Sequence, residues 1–258
     1  MNYIGIDIGS TCAKTVVLNE KKEIIQEFVQ PTGWSSVDTA EEIHQKLQLA
    51  GINLSDDSSC CVATGYGRIS VPYADKTVTE ITCHALGAVH LFQQPDLTVI
   101  DIGGQDTKII QIEQGFVKDF IMNDKCAAGT GRFLEVMANT LSLHPNKMFD
   151  LARLGSDTTI SSMCTVFAES EVIGLIGKGE PKENIAYAIV NSTIRKVAAQ
   201  VSRMNGEMST FCLTGGLCEC EYIREALSKE LGKEVISCPD ARYAGAIGAA
   251  LSAMKIRK

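Results

Sequence analysis

The sequence predicts an α/β fold made of two similar domains, and three observations lead to this prediction. A unit of strand, Asp-x-Gly turn and second strand occurs twice, once around Asp7 and once around Asp101. Short apolar strands alternate with segments of helical periodicity, and the second half of the chain is mostly helical. Of the 258 residues 45% are hydrophobic, which is enough for one large core or two smaller ones.

The negative overall charge of the chain disfavours two classes of binding partner. A formal net charge of −7 argues against nucleic acid or an anionic membrane as the main partner. The first residues contain no basic segment followed by an apolar stretch, so we expect no signal peptide. No apolar run approaches the roughly 18 residues that a membrane-spanning helix needs. We therefore expect a cytoplasmic protein that binds neither nucleic acid nor membrane.

The predicted elements follow the chain in two rounds. The first round has strands at 3–7, 14–18, 23–29 and 60–64 and helices at 40–49 and 79–92. The second has strands at 97–101, 107–112, 115–123, 210–214 and 234–237 and helices at 129–141, 146–153, 166–178, 182–204, 221–231 and 244–254. A repeated supersecondary unit fixes the architecture. We predict one domain from 1–93 with 245–258, another from 94–244, and a ligand cleft between them.

The first Asp-x-Gly turn has the composition of a phosphate-binding loop. Gly9 lets backbone amides approach a phosphate, and the hydroxyls of Ser10 and Thr11 can donate to its oxygens. Lys14 can neutralise a phosphate, and Asp7 is placed to hold Mg²⁺ through water, since Mg²⁺ keeps several waters. The alternative is that this turn and its copy are tight hairpins with capping aspartates.

The second turn repeats the same chemistry. Asp101 supplies the carboxylate, Gly103 and Gly104 allow close backbone approach, and Asp106 is expected to contact the same ligand. Gln105 could orient an attacking water, as a glutamine does in other nucleotide hydrolases. Two copies about a domain apart favour nucleotide binding over the hairpin alternative.

A third glycine turn completes a known order of loops. Gly215 and Gly216 follow a predicted strand as an adenosine-binding loop does, and the small-residue helix that contains Gly245 fits either close packing or backbone near an adenine. The order along the chain is a first phosphate loop, a second phosphate loop, a connecting helix and the adenosine glycines. This order resembles the superfamily of acetate and sugar kinases, heat-shock ATPases and actin (the ASKHA superfamily). The resemblance implies two ribonuclease-H-like domains with ATP and Mg²⁺ bound in the cleft between them.

Two of the ten cysteines precede predicted helices. Cys126 lies before the helix predicted at 129–141, and Cys164 before the one predicted at 166–178. A helix N-terminus favours negative charge and lowers the pKa of a thiol, so the pair would make half of a site for a cluster with four cysteine ligands. A two-fold homodimer would supply the other half. From spacing alone, two buried helix-cap cysteines are the favoured alternative.

Longer motifs carry a more specific signal. Two stretches stand out, MNDKCAAGTGRFL at 122–134 and CTVFAESE at 164–171. They resemble the family of 2-hydroxyacyl-CoA dehydratase activators and benzoyl-CoA reductase ATPase subunits, the BadF/BadG-type ATPases. Three shorter motifs match this family as well: TGYGR at 64–68, DIGGQD at 101–106 and AGAIGAA at 244–250. The resemblance therefore runs through the chain.

The resemblance implies a function for these residues. It implies a homodimer with one bridging 4Fe–4S cluster, held by Cys126 and Cys164 of each subunit. In the same motif, Gly129, Thr130 and Gly131 are expected to contribute to cofactor binding. ATP binding and hydrolysis would change the angle between the helices and the cluster. A low-potential electron would then pass to a partner iron–sulfur dehydratase or reductase or to a double-cubane cluster protein, with ferredoxin or flavodoxin as the donor.

Two other classes of function remain open at this point. One is a small-molecule kinase of the same fold, for which Asp101 or Asp106 could act as the base, although the sequence shows no obvious acceptor loop. The other is a chaperone or sensor that binds ATP and uses a cluster only as a structural element. Iron content separates the first class from an electron-transfer protein, and ATP-dependent reduction of an acceptor separates the second.

Overall fold

The structure is a computed structural model, and it describes residues 1–161, 164–205 and 210–256. Its contacts divide the chain into two compact units. The first consists of Met1–Leu97, Ile110–Lys118 and Cys238–Lys258, and the second of Thr98–Ile109 and Asp119–Ser237. The predicted limits, 1–93 with 245–258 and 94–244, stay a prediction, and their residues 257 and 258 lie outside the described part of the chain.

The first unit contains a five-stranded mixed sheet. Its strands are β1 (Asn2–Ile8), β2 (Cys12–Leu18), β3 (Ile24–Pro31), β4 (Ser59–Thr64) and β5 (Lys76–Thr77). They lie in the order β3-β2-β1-β4-β5. The first three strands pair antiparallel, whereas β4 pairs parallel to β1 and β5 parallel to β4. The apolar side chains of β1 and the fully buried β4 form the centre of this core.

Three helices cover this sheet, α1 (Ser36–Leu49), α2 (Glu80–Phe92) and the C-terminal α8 (Ala244–Ile256). Helix α1 begins four residues before the predicted start, because the Ser35 side chain accepts from the Asp38 amide and caps it. Helix α8 packs closely on both β1 and α2. A side chain at Gly5 would collide with the backbone of Ala246, and one at Gly248 with the backbone of Cys83. Close packing therefore requires the small residues of α8.

The second sheet also has five strands. They are β6 (Leu97–Ile102), β7 (Thr107–Glu113), β8 (Phe116–Asn123), β9 (Thr210–Gly215) and β10 (Val235–Ile236). Their order is β10-β9-β6-β7-β8. If the strands of each sheet are numbered from one in chain order, both sheets have the order 3-2-1-4-5. The repeat that the sequence predicts is therefore present in the two sheets. The α/β class with two such sheets is confirmed.

Five helices belong to the second unit, α3 (Gly131–Thr140), α4 (Pro145–Ala152), α5 (Thr165–Gly177), α6 (Lys182–Val201) and α7 (Glu221–Leu231). Helix α6 is its central helix, since half of its residues are buried and α3, α4, α5 and α7 all pack against it. It ends at Val201 rather than at the predicted Met204. Across the described residues of both units, no helix has the length and hydropathy to cross a membrane.

Candidate functional site

The first predicted phosphate loop is a tight hairpin between β1 and β2. Asp7 is buried near the end of β1. The Gly9 amide donates to the Cys12 carbonyl oxygen at 3.1 Å and closes the turn. Ser10 and Thr11 are exposed at the tip of the hairpin. Their exposure is what a loop that binds a phosphate from solvent requires.

The carboxylate of Asp7 lies in a pocket bounded by glycines. A side chain at Gly65 would collide with Asp7 Oδ1, and one at Gly245 would collide with Oδ2. Lys14 stands opposite Asp7 on β2, is half-buried and has no ion pair among the described residues. The fold thus brings Gly245, from the start of α8, close to Asp7.

The second predicted phosphate loop, between β6 and β7, rests on a buried group of charges. Lys108 is 1% exposed, and its Nζ lies 3.3 Å from Asp101 Oδ2 and 2.8 Å from Asp106 Oδ2. Thr214 Oγ1, near the end of β9, donates to Asp101 Oδ1 at 3.1 Å. The cation and the hydroxyl together hold the buried Asp101 carboxylate in one orientation.

One glycine in each sheet makes room for its carboxylate. Gly65 directly follows β4 with φ of +84°, and Gly215 ends β9 with φ of +83°. A Cβ at Gly215 would lie 2.6 Å from Asp101 Oδ1, just as one at Gly65 would strike Asp7. The structure therefore places Gly215, predicted as part of an adenosine loop, beside Asp101, and Gly216 follows it in the chain.

Lys108, which pairs with both Asp101 and Asp106, was not predicted from the sequence as a site residue. A charged side chain directly before the apolar residues Ile109 and Ile110 of β7 was the available signal. Asp101 and Asp106 precede it by only a few residues, so an ion pair with either was open to prediction. By contrast, nothing local indicated that Thr214, more than one hundred residues away, bonds to Asp101.

The remaining residues of the second loop occupy its turn. The Gly103 amide donates to the Asp106 carbonyl oxygen at 2.9 Å. Gly104 is half-buried, and Gln105 is exposed at the tip. The predicted roles of these residues toward a nucleotide stay predictions.

Cys126 lies in an irregular loop, residues 124–130, which we call the cysteine loop. The Asn123 side chain anchors this loop through Nδ2, which donates to the carbonyl oxygens of Cys126 at 2.8 Å and Ala128 at 3.0 Å. The expectation that Cys126 stands at the start of a helix is wrong, because α3 begins only at Gly131.

Two backbone conformations delay the start of α3. Gly129 has φ of +86°, outside the helical region, and Thr130 is the extended N-cap residue. The Thr130 hydroxyl donates to the Ala127 carbonyl oxygen at 2.7 Å. The predicted cofactor residues Gly129, Thr130 and Gly131 therefore form the junction between the cysteine loop and α3.

Cys164 matches its prediction more closely. It is the N-cap residue of α5, so a cysteine at this helix start is confirmed. Its side chain is exposed. Residues 162 and 163, which directly precede Cys164 in the chain, lie outside the described part of the structure.

Exposure separates these two cysteines from the other eight. Cys126 and Cys164 are the only exposed thiols among the ten, which excludes the alternative that both are buried helix caps. The other eight are buried or half-buried: Cys12, Cys60, Cys61, Cys83, Cys212, Cys218, Cys220 and Cys238. Burial raises the pKa of Cys83 to about 12 and that of Cys61 further, which disfavours the thiolate form that binds metal.

Helix α5, which starts just after Cys164, exposes an apolar face. Ala168 and Val172 are its only buried residues. Val166 is 67% exposed and Phe167 68%, and Ile173 and Ile176 further along the helix are also exposed. Several exposed apolar side chains on one helix make α5 a candidate interaction surface.

The chain is similar to proteins of known activity over nearly its whole length. The model of the BadF/BadG/BcrA/BcrD ATPase family matches residues 4–253. The (R)-2-hydroxyglutaryl-CoA dehydratase activating ATPase of Acidaminococcus fermentans is 44% identical over 257 residues, 98% of this chain and 96% of that protein.

Solved structures give the same result for the fold. Component A of the Acidaminococcus fermentans (R)-2-hydroxyglutaryl-CoA dehydratase superposes with a TM-score of 0.91 at 42% identity, covering 99% of this chain and 98% of that one. The activator of the 2-hydroxyisocaproyl-CoA dehydratase from Clostridium difficile, with bound ADPNP, gives 0.89 at 35% identity, covering 99% and 95%. The predicted actin-like fold is therefore confirmed.

Proposed function

The chain belongs to the BadF/BadG/BcrA/BcrD ATPase family, and we propose that it is the ATP-dependent activator of a partner iron–sulfur enzyme. In this proposal ATP binding and hydrolysis drive the transfer of a low-potential electron. The observation that carries it is the exposure of Cys126 and Cys164 alone among the ten cysteines. A small-molecule kinase of the same fold gives no reason for this exposure.

The proposed nucleotide site uses both phosphate loops. The amide of Gly9 and the hydroxyls of Ser10 and Thr11 would bind phosphate oxygens, and Lys14, which has no ion pair among the described residues, would neutralise them. Asp7 would hold Mg²⁺ through water. A relative of the same family has been solved with bound ADPNP, which supports a nucleotide in this site.

The second loop would complete the site. Gly103, Gly104 and Asp106 would bind the phosphates from the second loop, while Gln105, exposed at its tip, would orient the attacking water. The Asp101 carboxylate would then act from the fixed orientation that Lys108 and Thr214 impose. Three glycines would approach the adenosine: Gly215, Gly216 and Gly245.

The two exposed cysteines fit one half of a 4Fe–4S site. Such clusters usually take four cysteine thiolates, and this chain offers Cys126 and Cys164 as accessible donors. A second copy of the chain, related by a two-fold axis, would supply the other two ligands. The exposed apolar face of α5 lies next to Cys164 and supports such a dimer, since its burial would extend the contact around the cluster. When bound, the cluster would supply one-electron transfer.

The partners follow from the relatives. One is described as the activating ATPase of a CoA dehydratase, and another, 30% identical, belongs to the benzoyl-CoA reductase of Thauera aromatica. We therefore expect an iron–sulfur dehydratase or reductase as the electron acceptor. Ferredoxin or flavodoxin would supply the electron.

The proposal is tested by comparing the number of electrons transferred to an acceptor with the number of ATP molecules hydrolysed. Protein purified without oxygen is reduced with dithionite and freed of excess dithionite, and reduction of a low-potential viologen acceptor is then followed together with phosphate release. We expect reduction that requires Mg-ATP. Asp7→Ala should reduce both ATP hydrolysis and ATP-driven reduction while iron stays bound, because the residue is not one of the proposed cluster ligands.

Reduction at the same rate without ATP would contradict the proposal. A colourless, iron-free protein that transfers phosphate to small metabolites would instead support the kinase. A protein that binds iron and ATP but never reduces an acceptor would support the chaperone or sensor.

A further inference from the structure

The second phosphate loop, residues 103–106, is hydrogen-bonded to the first residues of α3, the helix that directly follows the cysteine loop. The amide of Gly131 donates to the Gly103 carbonyl oxygen at 2.9 Å, and the amide of Arg132 to the Gly104 carbonyl oxygen at 2.8 Å. These amides are the first two of α3, which begins where the cysteine loop ends. Carbonyl groups of the phosphate loop thus satisfy helix amides that a side-chain cap would otherwise bind.

A third bond reaches into the cysteine loop itself. Thr107, the residue after the phosphate loop, is fully buried, and its Oγ1 donates to the Gly129 carbonyl oxygen at 2.6 Å. Its neighbour Lys108 pairs with Asp101, which lies near the end of β6, and with Asp106, the last residue of the phosphate loop. Because Thr107 lies between Asp106 and Lys108, which form an ion pair, a shift of the loop moves Thr107 with it.

The first copy of the repeat provides an internal comparison. Aligned on their aspartates, DIGSTCAK at 7–14 and DIGGQDTK at 101–108 place Ala13 where the second copy has Thr107. Ala13 has no hydroxyl with which to donate a hydrogen bond. The Gly9 carbonyl oxygen, which matches that of Gly103, accepts instead from Thr32 Oγ1 at 2.7 Å. Only the second copy has a hydroxyl at this position, and only there does a cysteine loop follow.

We propose that Thr107 is a positioning residue that transmits the nucleotide state of the second phosphate loop to the cysteine loop. The inference rests on the proposed function and adds the contact through which the two sites communicate. The hydroxyl of Thr107 holds the Gly129 carbonyl, and Gly129 follows Cys126 closely in the same loop. A nucleotide that moves Gly103 and Gly104 therefore changes the position of the Cys126 thiol through a short buried route.

The test uses substitutions that differ only in this hydroxyl. Thr107→Val removes it at nearly constant volume, Thr107→Ala introduces the residue that the first copy carries, and Thr107→Ser restores the donor. Thr15→Val is the matched control, since Thr15 is also a buried strand threonine but its hydroxyl has no hydrogen-bond partner among the described residues. The thermal stability of each variant shows that it is folded.

The readout is amide hydrogen exchange of residues 124–132, with and without a non-hydrolysable Mg-ATP analogue, on the full chain purified without oxygen. In the unsubstituted protein and in Thr15→Val we expect the analogue to slow this exchange. In Thr107→Val and Thr107→Ala the analogue should still bind, and its effect on exchange should shrink about fivefold, the factor of one lost hydrogen bond. Thr107→Ser should recover the full effect.

Three results would overturn the inference. The first is a Thr107→Val or Thr107→Ala protein whose cysteine loop still responds in full. The second is loss of analogue binding in both variants, which would place Thr107 in the nucleotide site. The third is an unsubstituted protein that binds the analogue without any response of the cysteine loop, which leaves the proposed ATPase function intact. If the unsubstituted protein binds no nucleotide, the proposed function fails and this inference fails with it.

Discussion

Replacement of Lys108 by methionine is the perturbation whose size follows most directly from the structure. The change keeps the length of the side chain and removes its charge. Asp101 would then keep a carboxylate that is 4% exposed and has lost its cation, whereas Asp106, 26% exposed, can turn to water. Breaking a buried ion pair by removal of one partner costs about 3–5 kcal/mol, so Asp101 should dominate the loss in the free energy of unfolding.

The assay is urea unfolding at neutral pH, with Lys14→Met as the matched control. Lys14 holds the same position in the first copy of the repeat but is half-buried and has no ion pair among the described residues. Its replacement should cost less than about 1 kcal/mol. The double variant Asp101→Asn/Lys108→Met should regain part of the loss, because the buried carboxylate that has lost Lys108 is then gone. Equal losses for Lys108→Met and Lys14→Met, or no recovery in the double variant, would refute the reasoning.

Three further predictions test the local chemistry. Gly215→Ala should destabilise the protein more than Gly232→Ala. Both glycines have positive φ, but only at Gly215 would the added Cβ collide with a carboxylate, that of Asp101. Thermal unfolding of the two variants measures the difference. Burial lowers the pKa of His90 below its ordinary value of 6.5, so as the pH falls the unfolded chain binds the proton before the folded protein does. The free energy of unfolding should therefore fall as the pH drops through 6.5, and His90→Gln should flatten this pH dependence. Parallel pH profiles of the two proteins would contradict this. In iron-free protein at neutral pH, a maleimide should modify the two exposed cysteines first and Cys83 only on unfolding, as peptide mass analysis would show.

The architecture was predictable because its repeating unit, a strand, an Asp-x-Gly turn and a second strand, is a short local pattern that occurs twice in the sequence. Each Asp-x-Gly turn lies between two apolar strands, and the second copy supports the interpretation of the first. The two-residue strand β5 was not predicted, because so short an element carries no periodicity of its own. Its place in the sheet depends on pairing with β4, which is a long-range contact.

The sites were predictable in composition and less so in geometry. The spacing of Cys164 from an apolar helix located it at the N-cap of α5, whereas the same argument failed for Cys126 because Gly129 and Thr130 delay the helix. The sequence predicted a glycine turn at Gly215. Its close approach to Asp101 arises only because β9 lies next to β6 in the sheet. Such contacts depend on strand order, which a single strand does not encode.

Iron, acid-labile sulfide and molecular mass of the protein purified without oxygen test the central claim most directly. The measurement compares the unsubstituted chain with Cys164→Ser and with Cys220→Ser, a control at another helix N-cap of the same unit whose thiol is only half-buried. We predict about four irons and four sulfides per dimer in the unsubstituted chain and in Cys220→Ser, and their loss together with a weakened dimer in Cys164→Ser. Full iron and an intact dimer in Cys164→Ser, or an iron-free monomer from the unsubstituted chain, would contradict the account.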